Sequence, residues 1–381
     1  MKNQYLALPG PTPVCPEALQ AMAEPMFNHR GPRFAGLFQE VMENCRELFQ
    51  TQEDLFILTA SGTGAMEAAA VNVLKRGDRV LSAVNGAFGQ RFADIAASVG
   101  AEVEIFPGDW GKALDLDKLE EALSQGTYRA ITVIHCETST AVLNDLQAIA
   151  RLRDRLQPQA LLLVDAISSL GAAKLPVDKW GLDVVVTGSQ KVLAAPPGLA
   201  MVSFNQRAWD AHKSSDVSRY YWDFTKYKTF MEKGETPYTP AISQFLAIKA
   251  ASARFVNEGL DNAVKRHQLM AAMTRAASRA LGLELLVARD EEAATTVTAI
   301  FPPSGMEAAK LRAHLRETHG LIVAGGQGKL AIDIFRIGHL GIADAATVVS
   351  YIALLEKGLH ELGHNVVPGA GVAAALGCQP Q

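Results

Sequence analysis

Between residues 55 and 204 the chain alternates short apolar runs with stretches whose apolar positions recur at helical spacing. Runs at 55–59, 79–83, 101–106, 130–135, 160–165, 183–187 and 199–204 predict strands. Helical spacing at 65–75, 88–99, 115–123 and 143–156 falls between most of them. Strands that are apolar on both faces and alternate with helices imply an α/β fold with a mostly parallel sheet covered on each side. Ahead of this region, Phe34, Leu37, Phe38, Val41, Met42, Cys45, Leu48 and Phe49 mark a strongly amphipathic helix. After it, residues 205–240 turn polar, aromatic and loop-like. Helices at 242–257 and 261–281 then lead to strands at 295–301 and 332–337 and helices at 307–318 and 343–362, a smaller α+β set. The expected organisation is an N-terminal arm at 1–20, a large α/β domain at 21–258 and a small α+β domain at 259–381. Pro9-Gly10-Pro11-Thr12-Pro13 makes the arm extended, unable to form a helix or a central strand. The Gly/Ala-rich stretch after His364 predicts little.

At 381 residues the chain exceeds what one compact core usually holds. A net charge of −4 offers no basic field for nucleic acid. The apolar run near Ala68–Leu74 is broken by Asn72, so no segment approaches a membrane span. Met1-Lys2-Asn3-Gln4 lacks the apolar stretch of a signal peptide. Cys15, Cys45, Cys136 and Cys378 are scattered and form no CxxC pair. This pattern points to a soluble cytoplasmic enzyme and away from a disulfide scaffold or cysteine-bound metal.

The chemistry gathers at predicted strand ends. Lys191 follows the apolar run Val184-Val185-Val186, where a lysine is unusual unless paired. Asp165 ends another such run, Leu161-Leu162-Leu163-Val164. An amine in low dielectric has a depressed pKa and becomes a nucleophile for carbonyl carbon at neutral pH. Alone, Asp165 reads as a helix or turn cap. Thr59-Ala60-Ser61-Gly62-Thr63-Gly64 follows a strand and opens a helix, a place for an anion such as phosphate, although a plain glycine turn is the alternative. It is neither a P-loop nor a dinucleotide fingerprint, because no Gly-Lys-Ser/Thr follows and Glu67 takes the third glycine's place. A nucleophilic lysine, an acid for a ring nitrogen and a phosphate cup together are what pyridoxal 5'-phosphate needs. Phe88, flanked by Ala87 and Gly89, is either core or a stacking surface for a planar ring. His135-Cys136-Glu137-Thr138-Ser139-Thr140 is a polar cluster in which some members must cap the next helix or turn. Arg336, between Phe335 and Ile337, suggests a fixed fork for a substrate carboxylate. His339 reads as structural.

On these motifs the chain resembles the class V, fold-type I pyridoxal-phosphate aminotransferases, and among them the alanine–glyoxylate and serine–glyoxylate (serine–pyruvate) group. The likeness runs from Pro9 to Arg336. It implies that Lys191 forms the Schiff base and that Asp165 pairs with the ring nitrogen. Ser61, Gly62, Thr63 and Gln190 would hold the phosphate, Phe88 would stack on the ring, Thr138 would lie on its hydroxyl side, and Arg336 would grip the substrate carboxylate. The family's members are homodimers with active sites at the subunit interface. The loop that reaches the partner's phosphate site would here be Thr236-Pro237-Tyr238-Thr239-Pro240, with Tyr238 and Thr239 as the contacts. Ala141 stands where a glycine often ends the Glu-Thr-Ser-Thr motif.

The expected activity is ping-pong transfer of an amino group from alanine or serine to glyoxylate or pyruvate. No second cation for a dicarboxylic side chain is evident in the sequence. The alternatives are a cysteine desulfurase or related lyase, which needs a well-placed loop cysteine; a nicotinamide-dependent dehydrogenase, which leaves Lys191 unexplained; and a non-enzymatic redox-complex subunit of the soluble-hydrogenase kind.

Overall fold

The computed structural model describes residues 4–378, so the predicted lack of an apolar leader at residues 1–3 and the last three residues of the tail lie outside it. The first part of the chain runs β1 (Tyr5–Ala7), α1 (Pro16–Met22), α2 (Pro32–Phe49), β2 (Asp54–Thr59), α3 (Gly62–Val73), β3 (Arg79–Val84), α4 (Ala87–Ser98) and β4 (Glu102–Pro107). It continues with α5 (Leu116–Gln125), β5 (Ala130–Ile134), β6 (Cys136–Glu137), β7 (Val142–Leu143), α6 (Leu146–Leu156), β8 (Leu161–Asp165), β9 (Val184–Gly188) and β10 (Leu199–Phe204). Helices α7 (Gln206–His212), α8 (Phe224–Met231), α9 (Ile242–Glu258) and α10 (Leu260–Ala280) follow. The chain closes with β11 (Val297–Ile300), α11 (Ala308–His319), β12 (Leu321–Gly325), β13 (Phe335–Gly338), α12 (Ala345–Glu361) and α13 (Ala370–Leu376).

All seven strands predicted before residue 205 pair in one sheet of order β2-β10-β9-β8-β5-β3-β4. Only β10 runs against its neighbours. Because it is antiparallel to both β2 and β9, those two strands share one direction. The carboxyl ends of β2, β3, β5, β8 and β9 therefore open at the same edge, where ligands bind in sheets of this kind. Strands β5, β8, β9 and β10 are buried throughout, as their unbroken apolar runs require. All eight apolar positions of α2 are buried, and Phe34 meets Phe245 of α9 edge to face at 5.3 Å.

A second sheet, of order β1-β12-β13-β11, carries the C-terminal helices. Its β1 comes from the expected arm: Tyr5–Ala7 pairs in parallel with Leu321–Val323 at the sheet edge. Pro9–Pro13 itself enters no helix or strand, but the arm expected to stay extended to residue 20 also holds the start of α1, which Pro16 opens in its first turn. Two further expectations need correction, and two elements were not foreseen. Residues 205–240 contain α7 and α8, capped by Asn205 and Asp223, whose side chains accept from the N–H groups of Ala208 and Thr225. The strand expected at 332–337 is β13 (Phe335–Gly338), and Ile332 is 83% exposed. Strand β12 follows α11 after a single left-handed Gly320, too tight a junction for an apolar pattern to separate. The C-terminal stretch holds α13, whose Gly371 packs against Leu281.

One buried ion pair fixes the amino ends of β8 and β9, at the edge opposite their shared carboxyl ends. Asp183 is fully buried and accepts hydrogen bonds from Arg153, from the Leu162 N–H at 2.7 Å and from Asn205 at 2.9 Å. Without Arg153 the buried carboxylate keeps, among the described residues, only the half-exposed Arg207, 3.1 Å away, as a charge partner. Arg153→Met is expected to lower the unfolding free energy by about 3 kcal/mol, read as a lower urea midpoint; an unchanged midpoint would contradict this account.

Candidate active site

At the shared edge a cleft of about 150 Å³ opens between the strand ends. It collects Ser61, Gly62 and Thr63 after β2, Phe88 after β3, Thr138 after β5, Asp165 from β8, and Gln190 and Lys191 after β9. These are eight of the eleven residues singled out from the sequence, drawn from five separate strand ends.

Lys191 Nζ donates to the Pro9 carbonyl at 2.6 Å, and Thr12 Oγ1 donates to the Lys191 carbonyl at 3.1 Å. The Pro-Gly-Pro arm thus lies directly on the lysine. A Cβ on Gly10 would stand 2.4 Å from Nζ, so only glycine permits this approach. Burial lowers the Lys191 ammonium to about 8, against the attraction of Asp165. Burial raises the Asp165 carboxyl to about 7, and the N–H of Ile167 donates to it at 2.8 Å. Asp165 is therefore both the local turn cap and a carboxyl facing the cleft.

The first turn of α3 forms one wall. Ser61 caps it, accepting from the Gly64 N–H at 3.4 Å, and leaves N–H groups of the turn directed at the cleft. Ile167 fills the space where a Gly62 side chain would lie, with its Cδ1 2.4 Å from that position. Arg91, given no role in the sequence analysis, also lines the cleft. Its guanidinium lies 4.7 Å from the Phe88 ring centroid and 3.4 Å from Thr63 Oγ1. Its position three residues after Phe88 on α4 is the signal that places the two on one helix face.

The Glu-Thr-Ser-Thr cluster caps its own following turn, where the Ser139 N–H donates to the Glu137 carboxylate at 3.1 Å, and, beyond expectation, it also caps the preceding α4. The buried Glu137 carboxylate accepts from the N–H groups of Gly89 at 2.9 Å and Phe88 at 3.1 Å, and Ser139 Oγ accepts from that of Ala87 at 2.9 Å. Gly86 has no side chain because Glu137 fills that space, 2.3 Å from where a Cβ would stand. Ala141 ends the cluster at φ 58, a left-handed conformation in which glycine carries less strain.

Arg336 stands just behind the cleft. Its Nη1 donates to the Thr138 carbonyl and its Nε to the Gly325 carbonyl, both at 2.7 Å, so the fork is fixed in place. Burial lowers its guanidinium to about 10. Arg312 on α11, missed in the sequence, adds a repulsive charge to Arg336. A Cβ on Gly325 would stand 2.5 Å from Arg312 Nη1, and Arg312 Nε is buried without a partner. Tyr238 and Thr239 are not brought to the cleft of their own chain. Tyr238 stacks on Tyr221 at 4.8 Å and donates to the Tyr220 carbonyl at 2.6 Å, while Thr239 is exposed.

A parallel-sheet edge presenting a buried lysine, a buried carboxyl and a helix N-terminus around one cleft defines a fold-type I pyridoxal-phosphate enzyme. The sequence profile of the class-V aminotransferases matches residues 4–336, and the chain belongs to that family. It is 43% identical over 97% of its length to the soluble hydrogenase 42 kDa subunit of Anabaena cylindrica, covering 97% of that chain. It is 36% identical to the L-aspartate–glyoxylate aminotransferase of Paracoccus denitrificans, covering 97% of this chain and 94% of that one. The crystal structure of ureidoglycine-glyoxylate aminotransferase from Bacillus subtilis superimposes with a TM-score of 0.94 at 28% identity, covering 99% and 98% of the two chains. The protein is an aminotransferase whose cofactor is pyridoxal phosphate.

The titration of Asp165 gives a test of the cleft's electrostatics. In cofactor-free protein the folded state keeps a proton on Asp165 up to about pH 7, whereas the unfolded chain releases it near 3.8. The folded state is the one holding more protons, so this residue's contribution to stability falls as pH rises through that window. Asp165→Asn is expected to be stabilised relative to wild type at pH 7 more than at pH 5. Urea unfolding of the cofactor-free proteins measures this, and an equal difference at both pH values would refute it.

Proposed function

We propose that the protein transfers an amino group from alanine or serine to glyoxylate, in two half-reactions at the Lys191 cleft. The observation that carries this reading is the buried, opposed pair Lys191 and Asp165 beside the α3 N-terminus, with the Arg336 fork held behind Thr138. Both aminotransferases named above have glyoxylate in their names, while their amino donors differ. The acceptor is therefore the better supported half; the donor rests on the sequence resemblance to alanine– and serine–glyoxylate enzymes.

Pyridoxal phosphate, when bound, supplies an aldehyde carbon and an electron-withdrawing ring. The chain's own residues divide the remaining work. Lys191, with an amine that is substantially neutral near pH 8, provides the nucleophile and then carries the substrate α-proton on Nζ. Asp165 holds the proton on the ring nitrogen, whose positive charge draws its carboxyl back toward the ionised form. The first turn of α3, Ser61, Thr63, Gln190 and Arg91 surround the phosphate, and Phe88 covers one face of the ring. Arg336 orients the substrate carboxylate. The homodimer belongs to this proposal, with the partner subunit's loop at 236–240 bringing Tyr238 and Thr239 to the phosphate. So do the division at residues 20 and 258, with Tyr5–Ala7 serving the smaller domain's sheet, and a cytoplasmic setting, which the four unpaired cysteines support.

Arg312 favours a second reading, in which the donor is aspartate. A second guanidinium whose charge acts on Arg336 suits a dicarboxylate. The redox-subunit alternative has no such support: among the described residues the group placed to share a metal contains no cysteine.

Purified wild type is expected to be yellow, with a visible-edge band that borohydride bleaches, and Lys191→Ala is expected to lose transamination; full activity in a colourless Lys191→Ala protein refutes the reading. In a donor panel with glyoxylate, alanine or serine should exceed aspartate. If aspartate leads and Arg312→Gln lowers its kcat/KM at least tenfold while sparing alanine, the second reading replaces the first. Arg336→Lys should raise the KM of every donor, because an ammonium lacks the planar fork.

A further inference from the structure

We propose that His314, His319 and Glu361 form a divalent-metal site, for zinc or a metal of similar ligand preference, tying α11 to α12. None of the three lines the Lys191 cleft, and the transamination chemistry uses none of them.

The placement follows from how the two helices end. His314 lies on α11, and His319 is its last residue, before Gly320 turns the chain at φ 70. Glu361 is the last residue of α12, which packs along α11. The three side chains converge. Glu361 Oε2 lies 2.7 Å from His314 Nε2 and 2.7 Å from His319 Nε2. The imidazole rings stand 5.6 Å apart and nearly perpendicular, at 82°, so both edges point at the same oxygen. The three ligand atoms all lie within 4.8 Å of one another.

Two imidazole nitrogens and one carboxylate oxygen are a donor set that zinc, cobalt and nickel accept. Tetrahedral ligands at about 2.0–2.1 Å from a metal stand roughly 3.3 Å apart. Small side-chain rotations reach that spacing from the observed one: the two N···O distances widen and the imidazoles close together. Thr318 Oγ1 lies 3.4 Å from His314 Nδ1, the outer-shell contact that orients a ligating ring. The burial is graded as a bound ion needs. The side chain of His319 is 7% exposed, and those of His314 and Glu361 are 25% and 32%, leaving one open side for a water as fourth ligand.

The charge balance points the same way. Among the described residues the ion-pair partners of Glu361 are these two imidazoles, with no lysine or arginine. An imidazole is a cation only when protonated, so the carboxylate is not balanced as an arginine would balance it. A divalent cation supplies the missing charge. Bound there, it links the C-terminal ends of α11 and α12, the helices that cover β12 and so support the strand whose Gly325 carbonyl holds Arg336.

The test uses tag-free holoenzyme stripped of metal by a chelator and then desalted. Calorimetric titration with zinc chloride should give one ion per chain with a submicromolar dissociation constant, and saturating zinc should raise the Tm by about 3 °C or more. His319→Gln and Glu361→Gln should each weaken binding at least tenfold and abolish the Tm rise, with transamination by the zinc-free variants within twofold of wild type. Should His319→Gln fail to fold, His314→Asn at the more exposed position tests the same ligand set. Cobalt in place of zinc should give visible d–d absorption that these substitutions remove. No binding, or binding that the substitutions leave unaltered, overturns the proposal and leaves the cluster a hydrogen-bonded triad only.

Discussion

An ammonium and a carboxylate withdrawn from water at the ends of β8 and β9 set the terms for everything around them. Burial disfavours both charges, bringing the Lys191 ammonium down to about 8 and the Asp165 carboxyl up to about 7. Their mutual attraction limits both shifts, the amine donates to the Pro9 carbonyl, and the Ile167 N–H donates to the carboxyl. Only a sheet buried on both faces creates that dielectric, and only parallel strands bring five carboxyl ends to one edge. The fold and the site are one constraint seen at two scales.

A second carboxylate, Glu137, organises the periphery. It satisfies the first N–H groups of α4, which an isolated helix end leaves without partners. Doing so sets the backbone of Phe88 over the cleft, and the adjacent Thr138 carbonyl receives Arg336 from the other sheet. Burial raises the Glu137 carboxyl, and the hydrogen bonds from Ser139, Gly89 and Phe88 oppose that rise. Ring face and substrate fork are thereby referenced to the same few atoms.

How much of the molecule is legible in its sequence depends on range. The strands of the large sheet, the ends carrying Asp165 and Lys191, and the α3 turn are local patterns, read from apolar runs and small residues. The direction in which Glu137 and Ser139 cap is not legible, because their partners at 87–89 lie some fifty residues away in the chain. Arg312 carries no local mark, since a helix arginine is ordinary until Gly325 and Arg336 are folded beside it. Helix α8 is hidden because its aromatics, Phe224 and Tyr227, serve a core built with Phe56 and Phe204 from the sheet, so the segment alone reads as irregular.

The stretch from Tyr5 to Cys15 has a mechanical meaning. It is fastened at one end to the smaller sheet through β1 and at the other to the loop between β9 and β10 of the larger one, where the Cys15 N–H donates to the Ala194 carbonyl at 2.9 Å. Midway, Pro9 touches the lysine, and the Leu8 carbonyl fills the space above Gly338, 2.1 Å from where a Cβ would stand. Three prolines and a crowded glycine make this span stiff, a chord drawn across the joint between the layers. Any rocking of one layer on the other must slide that chord past Nζ, so the position of the smaller sheet is reported, atom by atom, to the amine.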